Sequence, residues 1–332
     1  MRFDQLKRRQ FITLLGGAAV AWPLTARAQQ PAMPVVGYLH SSSPQMSVNY
    51  VTAFRQGLSE AGFVEGRNVA IEFRWAAGQD DRLPELAADL VRRQVAVIAT
   101  PVNTPAALAA KAATTTIPIV FSIGPDPVAL GLAASINRPG GNATGIGFQS
   151  AELTPKRLGL LLELAPQATR FAALVRADSV VTGDVVKDLQ VSARTLGLPL
   201  EILLADTNSE INAAFATLAQ TAGSAVLIAP DAFFTSRRAL IVTLAARHVL
   251  PAIYPYRDFA DIGGLVSYGP DIVKVYQQTG IYTGRVLKGE KPADLPIMQP
   301  TKFELVVNLN TAKALGIAIP NTLLALADEV IE

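Results

Sequence analysis

The stretch VAVIATPVNTPAALAAKAATTTIPIVF, residues 95–121, decides the fold. Its first apolar run, Val95–Ala99, is short and bounded by polar residues, which predicts a buried strand. Thr104–Ala113 has helical composition, and we expect Thr104 to act as its N-cap. Pro118–Phe121 is a second short apolar run. Because parallel strands need a crossover connection of about this length, the stretch predicts a βαβ unit in a parallel sheet.

The same alternation extends in both directions from this unit. Further strands are predicted at Val35–Leu39, Asn68–Phe73, Phe171–Val175, Leu200–Leu204, Ala225–Ile228, Pro251–Tyr254, Leu265–Tyr268 and Phe303–Val307. Further helices are predicted at Val48–Ala61, Asp81–Arg92, Val128–Ser135, Thr154–Leu164, Thr182–Leu196, Ser209–Ala222, Thr235–Arg247 and Ile272–Leu287. The series predicts an α/β protein with two doubly wound parallel-sheet lobes joined by a multi-strand hinge.

The alternation breaks at two places, which set the expected lobe boundaries. A Pro- and Gly-rich loop at residues 138–142 separates the two series, and the pattern becomes irregular after Gly263. We therefore expect several chain crossings between the lobes. Lobe one is predicted to comprise residues 34–147 plus 265–290, and lobe two residues 148–264 plus 291–332.

Residues 1–28 have the pattern of a signal peptide. Three consecutive basic residues, 7–9, precede the uncharged and mostly apolar stretch Phe11–Leu24, and residues 26–28 match a cleavage site. Residues 8–12 resemble the twin-arginine export motif. A membrane anchor is the alternative, but the apolar stretch has about 14 residues where a spanning helix needs ~20. We expect cleavage and a periplasmic protein.

The composition narrows the class of protein. A length of 332 residues suits two domains. The chain has 29 basic and 27 acidic residues, of which the first 28 positions hold five and one, so the exported part carries a net charge of about −2. No basic patch remains to indicate a nucleic-acid partner. The absence of cysteine excludes disulfides, thiolate nucleophiles and cysteine-ligated metals.

The sequence lacks the motifs of the common enzyme classes. Residues 284–289 have the glycine spacing of a phosphate loop, but Glu290 stands where lysine is required. The two histidines, His40 and His248, do not recur at metal-ligand spacing, although His40 follows a strand and could line a cleft. Asp80-Asp81 is explained most simply as a helix cap. We expect no catalytic residue, metal or cofactor.

Ligands of open parallel sheets bind beyond the carboxyl ends of the strands, so the loops that follow the predicted strands form the candidate site. Hydroxyls and helix N-termini there suit a carboxylate, aspartates suit an amine, and aromatic rings suit an apolar group. The predicted ligand-binding residues are Ser41, Ser42, Asn103, Thr104, Ser122, Asp126, Asp231, Tyr254 and Tyr256.

These candidates differ in how well capping explains them. Helix capping explains Ser42, Thr104 and Asp126 at least as well as ligand binding does. The strongest candidates are Asn103, Thr104, Asp231 and Tyr254.

A set of segments spread over residues 34–332 carries a family resemblance. It includes Ala53–Leu58, Gly62–Asn68, Thr104–Lys111, Asn137–Gly145, Ser267–Pro270, Lys291–Pro296, Pro300–Leu305 and Asn308–Gly316. In order and spacing these resemble the ABC-transporter substrate-binding family that includes tryptophan- and tyrosine-binding lipoproteins. The resemblance implies a type I periplasmic-binding-protein fold with three hinge crossings. The chain departs from the family in lacking the lipoprotein cysteine and in having Pro125 where a glycine often precedes Asp-Pro.

The resulting hypothesis is a periplasmic solute-binding receptor of an ABC importer. It would capture a small organic ligand, such as an amino acid or an aromatic carboxylate, by lobe closure and pass it unchanged to an inner-membrane permease. We expect a monomer. An exported α/β enzyme acting on a small carboxylic acid, and the ligand-presenting subunit of a membrane sensor, remain alternatives.

Overall fold

The computed structural model of the chain describes residues 33–148 and 153–332. The predicted signal peptide, residues 1–28, lies outside the described residues. Residues 34–332 form one compact unit that contains two β-sheets. No helix within the described residues is both long and apolar enough to cross a membrane.

The first sheet is built by the N-terminal half of the described chain. Its elements are β1 (Val35–His40), α1 (Val48–Glu60), β2 (Ala70–Trp75), α2 (Leu83–Arg92), β3 (Val97–Thr100), α3 (Thr104–Ala113), β4 (Ile119–Ile123) and β5 (Ala143–Gly147). The strands are all parallel, in the order β2-β1-β3-β4-β5. Most of their residues are fully buried, as expected for a sheet covered on both faces.

The second sheet is larger and mixed. The elements that follow β5 along the chain are α4 (Thr154–Leu164), β6 (Arg170–Val175), α5 (Thr182–Thr195), β7 (Leu200–Leu204), α6 (Asn208–Ala219), β8 (Ser224–Ile228), α7 (Ala232–Ser236), α8 (Arg238–Arg247), β9 (Ala252–Tyr254), α9 (Arg257–Ala260), β10 (Val266–Pro270), α10 (Ile272–Leu287), β11 (Phe303–Asn308), α11 (Leu309–Leu315), α12 (Asn321–Leu326) and β12 (Glu329–Ile331). The strand order is β12-β11-β10-β9-β8-β6-β7. β10 and β11 are antiparallel, and the other neighbours are parallel.

The helix α10 belongs to the first lobe although its neighbours in sequence belong to the second. It packs lengthwise on α1 and against β3, β4 and β5. The segment after it also returns to the first sheet, where Met298 N–H donates to the Gly145 carbonyl at 2.9 Å and Thr144 Oγ1 donates to that of Leu295 at 2.6 Å. The first lobe therefore comprises residues 34–148 and 272–298, and the second 153–270 and 303–332.

This arrangement corrects the expected lobe boundaries. The strand Val266–Pro270, assigned to lobe one from the sequence, pairs with β9 and β11 in the second sheet. Residues 293–298, assigned to lobe two, lie against the first sheet. A short apolar strand fits either sheet, and nothing local specifies its partner. The chain passes between the sheets after β5, after β10 and before β11, which agrees with the three crossings that the resemblance implied.

Some local predictions were wrong as well. Residues 128–135 form turns instead of a helix, because Gly131 adopts a left-handed backbone with φ of 69°. The N-cap of α3 is Asn103 rather than Thr104, and its Oδ1 accepts a hydrogen bond from Ala106 N–H at 2.9 Å. The predicted helix at 235–247 is two helices that meet at Arg237.

Candidate functional site

A cleft lies between the two lobes, at the carboxyl ends of the parallel strands. Its volume is about 820 Å³ when the open solvent at its mouth is included. From the first lobe it is lined by His40, Ser42, Tyr50, Thr104, Phe148 and Tyr276, among others. From the second lobe it is lined by Ser179, Asp231, Thr235, Ser236, Arg238 and Tyr256, among others. The position agrees with the general rule for ligand sites in α/β sheets.

The first-lobe wall is aromatic and rests on a buried histidine. Tyr50 of α1 and Tyr276 of α10 stack with their ring centroids 4.7 Å apart and 8° between their planes. His40, at the end of β1, lies with Nε2 3.0 Å from Tyr276 Oη. Its Nδ1 accepts a hydrogen bond from Ser42 N–H at 2.9 Å. Burial lowers the pKa of His40 to about 3, so the ring is neutral.

The N-terminus of α3 also faces the cleft, because its first two residues, Thr104 and Pro105, line it. Asn103 holds this end in place: its Oδ1 accepts from Ser41 Oγ at 3.1 Å as well as from the helix. Ser122 holds the preceding loop by accepting from Val102 N–H at 2.7 Å. Helix N-termini carry a partial positive charge, so this wall suits an anionic group.

The second-lobe wall carries a carboxylate. Asp231 follows β8 and is the N-cap of α7, with Oδ1 accepting from Phe233 N–H at 2.6 Å. Burial raises the pKa of Asp231 to about 6, and Arg176 opposes that rise. Arg176 Nη1 lies 3.6 Å from Asp231 and 2.9 Å from Asp80, and its Nε lies 3.4 Å from Asp206. One guanidinium thus lies near three carboxylates, of which Asp231 alone lines the cleft.

Polar contacts join the lobes across the cleft. Asp80, in the turn after β2, is a first-lobe residue, so its ion pair with Arg176 spans the cleft. Tyr50 Oη donates a hydrogen bond to Asp258 Oδ2 of the second lobe at 2.5 Å. Asp258 is mostly buried, and its pKa is raised by that burial, although Tyr50 and Arg238 oppose the rise. The lobes are therefore in contact through partly buried side chains.

The structure brings four of the predicted site residues to the cleft: Ser42, Thr104, Asp231 and Tyr256. Three others, Ser41, Asn103 and Ser122, are buried behind the cleft wall, where they hold its loops. Asp126 is exposed and caps a turn by accepting from Val128 N–H at 2.8 Å. Tyr254 packs in the second-lobe core, stacked on Phe259 with a centroid distance of 5.0 Å.

Sequence reasoning missed the cleft residues that come from helices. These residues lie within or at the start of helices and not in the loops that follow the strands, where the site was predicted. They are Tyr50, Thr235, Arg238 and Tyr276. A tyrosine on the apolar face of a helix looks like a core residue in sequence. Only the packing of α10 beside α1 brings Tyr50 and Tyr276 together at the cleft.

Comparisons with known proteins agree with this architecture. Residues 41–331 match the family described as ABC transporter substrate binding protein. A tyrosine-binding protein of Clostridioides difficile is 28% identical over 264 residues, which span 79% of this chain and 75% of that protein.

Two solved structures align over nearly their full length. One is an ABC domain from Streptococcus pneumonia in complex with L-Trp, with 26% identity, a TM-score of 0.80, and coverage of 90% of this chain and 99% of that one. The other is the ligand-free, open structure of a substrate-binding protein with adhesive properties from Clostridium difficile, with 25% identity, the same coverage and a TM-score of 0.63. The chain belongs to the ABC transporter substrate-binding protein family.

Proposed function

We propose that this protein is the periplasmic receptor of an ABC importer and that it captures an amino acid with an aromatic or large apolar side chain. The observation that carries the proposal is the cleft, where anion-binding groups of the first lobe face a carboxylate of the second lobe. The first lobe presents hydroxyls and the N-terminus of α3, and the second lobe presents the carboxylate of Asp231. A zwitterion would bridge the walls.

The parts of such a ligand have distinct places in the cleft. Its ammonium group would pair with Asp231, whose counter-charge Arg176 is shared with two other aspartates. Its carboxylate would accept hydrogen bonds at Ser42 and at the start of α3. Its side chain would contact the rings of Phe148 and Tyr256. The names of the tyrosine-binding relative and of the L-Trp complex support this choice of ligand class.

Capture would proceed by closure of the lobes on the ligand, as in other hinged binding proteins. The cross-lobe pairs Asp80–Arg176 and Tyr50–Asp258 would form on closure. The similarity values support two conformations in this family. At nearly equal identity and coverage, the chain superposes better on the L-Trp complex than on the ligand-free, open structure. Binding would supply the free energy that favours the closed form.

The partners follow from this role. The closed monomer would dock on an inner-membrane permease and release its ligand unchanged, with no nucleic acid, cofactor or catalytic step involved. Export by the predicted signal peptide, residues 1–28, would place the protein in the periplasm.

A thermal-shift screen of the exported chain tests the ligand class. We expect L-tryptophan or L-tyrosine, at about 100 times its Kd, to raise Tm by about 5 °C, because a ligand specific to the folded state stabilises it. Matched aromatic acids without the amine, such as indole-3-acetate, should shift Tm less. A stronger response to the amine-free acids would contradict the role given to Asp231. Conversion of any bound compound, followed by chromatography, would favour an enzyme instead.

A second test concerns lobe closure. We expect Asp80→Asn to weaken L-tryptophan binding about tenfold, because it removes the cross-lobe ion pair without altering a residue that lines the cleft. Small-angle X-ray scattering should show a larger radius of gyration for the ligand-free variant than for the wild type.

The matched control is Asp206→Asn, because Asp206 pairs with the same Arg176 guanidinium but belongs to the second lobe. It should leave the scattering profile unchanged. Equal affinities and equal radii for Asp80→Asn and the wild type would remove the ion pair from the closure mechanism.

A further inference from the structure

The hydroxyl of Tyr276 has a defined hydrogen-bonding direction. His40 is neutral, and its Nδ1 is already an acceptor for Ser42 N–H, so its proton is assigned to Nε2. Nε2–H therefore donates to Tyr276 Oη, 3.0 Å away, and the Pro101 carbonyl is a second acceptor near the ring. The phenolic oxygen acts as the acceptor in this contact. The hydrogen of the Tyr276 hydroxyl remains available for another partner.

The cleft, which Tyr276 lines, and the hydroxyl of Tyr38 lie near that hydrogen. The carboxylate of Asp258 is also close to Tyr276, but it already accepts a hydrogen bond from Tyr50 Oη. Tyr38 Oη is buried and has no hydrogen bond of good geometry among the described residues. Burial and then the proximity of Tyr276 raise the pKa of Tyr38, so Tyr38 is a neutral donor itself. A ligand group that can only accept a hydrogen bond could reach the Tyr276 hydroxyl from the cleft.

The surroundings of Tyr276 identify the kind of acceptor. Its hydroxyl is linked through His40 to the Ser42 amide, which belongs to the wall proposed to hold an anion. The stacked ring of Tyr50 and the packing of α10 on α1 fix the tyrosine in position. A donor that is pre-oriented in this way loses little conformational entropy when it binds a ligand.

We propose that Tyr276 is a ligand-contact residue whose hydroxyl donates to the carboxylate of the bound amino acid, and that His40 is the positioning residue that orients it. This inference rests on the proposed function and adds a specificity determinant to it. The pair selects ligands that carry an acceptor-only oxygen at this point. His40 acts on the ligand by orienting the hydroxyl of Tyr276.

Tyr276→Phe, assayed by calorimetry, is the direct test. We expect L-tryptophan to bind about 10- to 100-fold more weakly, which is the effect of losing one hydrogen bond to a charged group. Tryptamine, which keeps the ring and the amine but lacks the carboxylate, should bind both proteins equally. The control is Tyr254→Phe, which removes the hydroxyl of a buried tyrosine outside the cleft and should leave both affinities unchanged.

The positioning role of His40 has two readouts of its own. His40→Leu should weaken L-tryptophan binding by a similar factor, and His40→Gln, which keeps an N–H donor, should restore much of the loss. The chain has two histidines, so a nitrogen-15 correlation spectrum resolves both rings, and His248→Gln assigns them. We expect the Nε2–H tautomer for His40.

The outcomes separate this inference from the proposed function. If the wild type binds neither L-tryptophan nor L-tyrosine, both are overturned. If Tyr276→Phe lowers Tm but leaves the affinity for L-tryptophan unchanged, the hydroxyl serves Tyr38 instead and this inference alone falls. An Nδ1–H tautomer for His40, or an equal loss of tryptamine and L-tryptophan binding, would also overturn it alone.

Discussion

Asp231→Asn is expected to weaken the binding of L-tryptophan about 100-fold while preserving the fold. Asparagine is as good an N-cap as aspartate, so the hydrogen bond to Phe233 N–H and the start of α7 are retained. The substitution removes the negative charge that would pair with the ligand's ammonium group. Isothermal titration calorimetry measures the loss, and far-ultraviolet circular dichroism checks the fold.

The same carboxylate should make binding dependent on pH. Burial raises the pKa of Asp231 to about 6. The group is charged above that value and neutral below it, whereas the amine of the ligand stays protonated throughout. Affinity should therefore fall as the pH falls, by about fivefold between pH 6 and pH 5, because a proton and the ammonium compete for Asp231.

Control variants distinguish Asp231 from other groups that could make binding depend on pH. Arg176, Asp80 and Tyr256 also act on Asp231, and Asp258 is a second buried carboxylate with a raised pKa. Asp231→Asn should flatten the pH profile if Asp231 is the titrating group. Asp126→Asn, at an exposed carboxylate that caps a turn outside the cleft, should retain both the affinity and the profile of the wild type. If the affinity of Asp231→Asn still fell as the pH falls, another group would be responsible for the pH dependence.

The sequence predicted the secondary structure best where an element has strong local signals. The helices Thr104–Ala113 and Ile272–Leu287 have the predicted bounds, although the N-cap of the first is Asn103 and not Thr104. The sequence did not predict which sheet a strand joins, because that depends on residues far along the chain. Val266–Pro270 reads as a strand, but its assignment to the second sheet depends on β9 and β11, which lie at some distance along the chain. Residues 128–135 have helical spacing, and Gly131 breaks the helix.

The residues of the candidate site also differ in how far the sequence could predict them. Thr104 and Asp231 were predictable because the carboxyl ends of parallel strands meet at one edge, whatever the details of the fold. Tyr254 shows the limit of that rule. It ends β9 and points into the core, whereas Tyr256, two residues later, lines the cleft. Tyr276 was beyond reach, because its place depends on how closely α10 approaches α1.

That approach depends on glycine. A Cβ added at Gly280 of α10 would overlap the backbone carbonyl of Phe54, and one at Gly57 of α1 would overlap that of Gln277. The two helices therefore approach each other closely at these glycines.

Gly280→Ala should destabilise the protein by about 3 kcal/mol, because the helices must separate and the contacts along their full length loosen. Urea denaturation followed by circular dichroism measures this as a lower midpoint at unchanged slope. The matched control is Gly159→Ala in α4, where an added Cβ meets nothing within 4 Å. This substitution should stabilise the helix by up to about 1 kcal/mol, because alanine has a higher helix propensity than glycine. Separation of the helices would also displace Tyr276, so the affinity for L-tryptophan should fall with the midpoint. Equal midpoints for the two alanine variants would contradict a close-packed α1–α10 interface and, with it, the fixed position of the tyrosine.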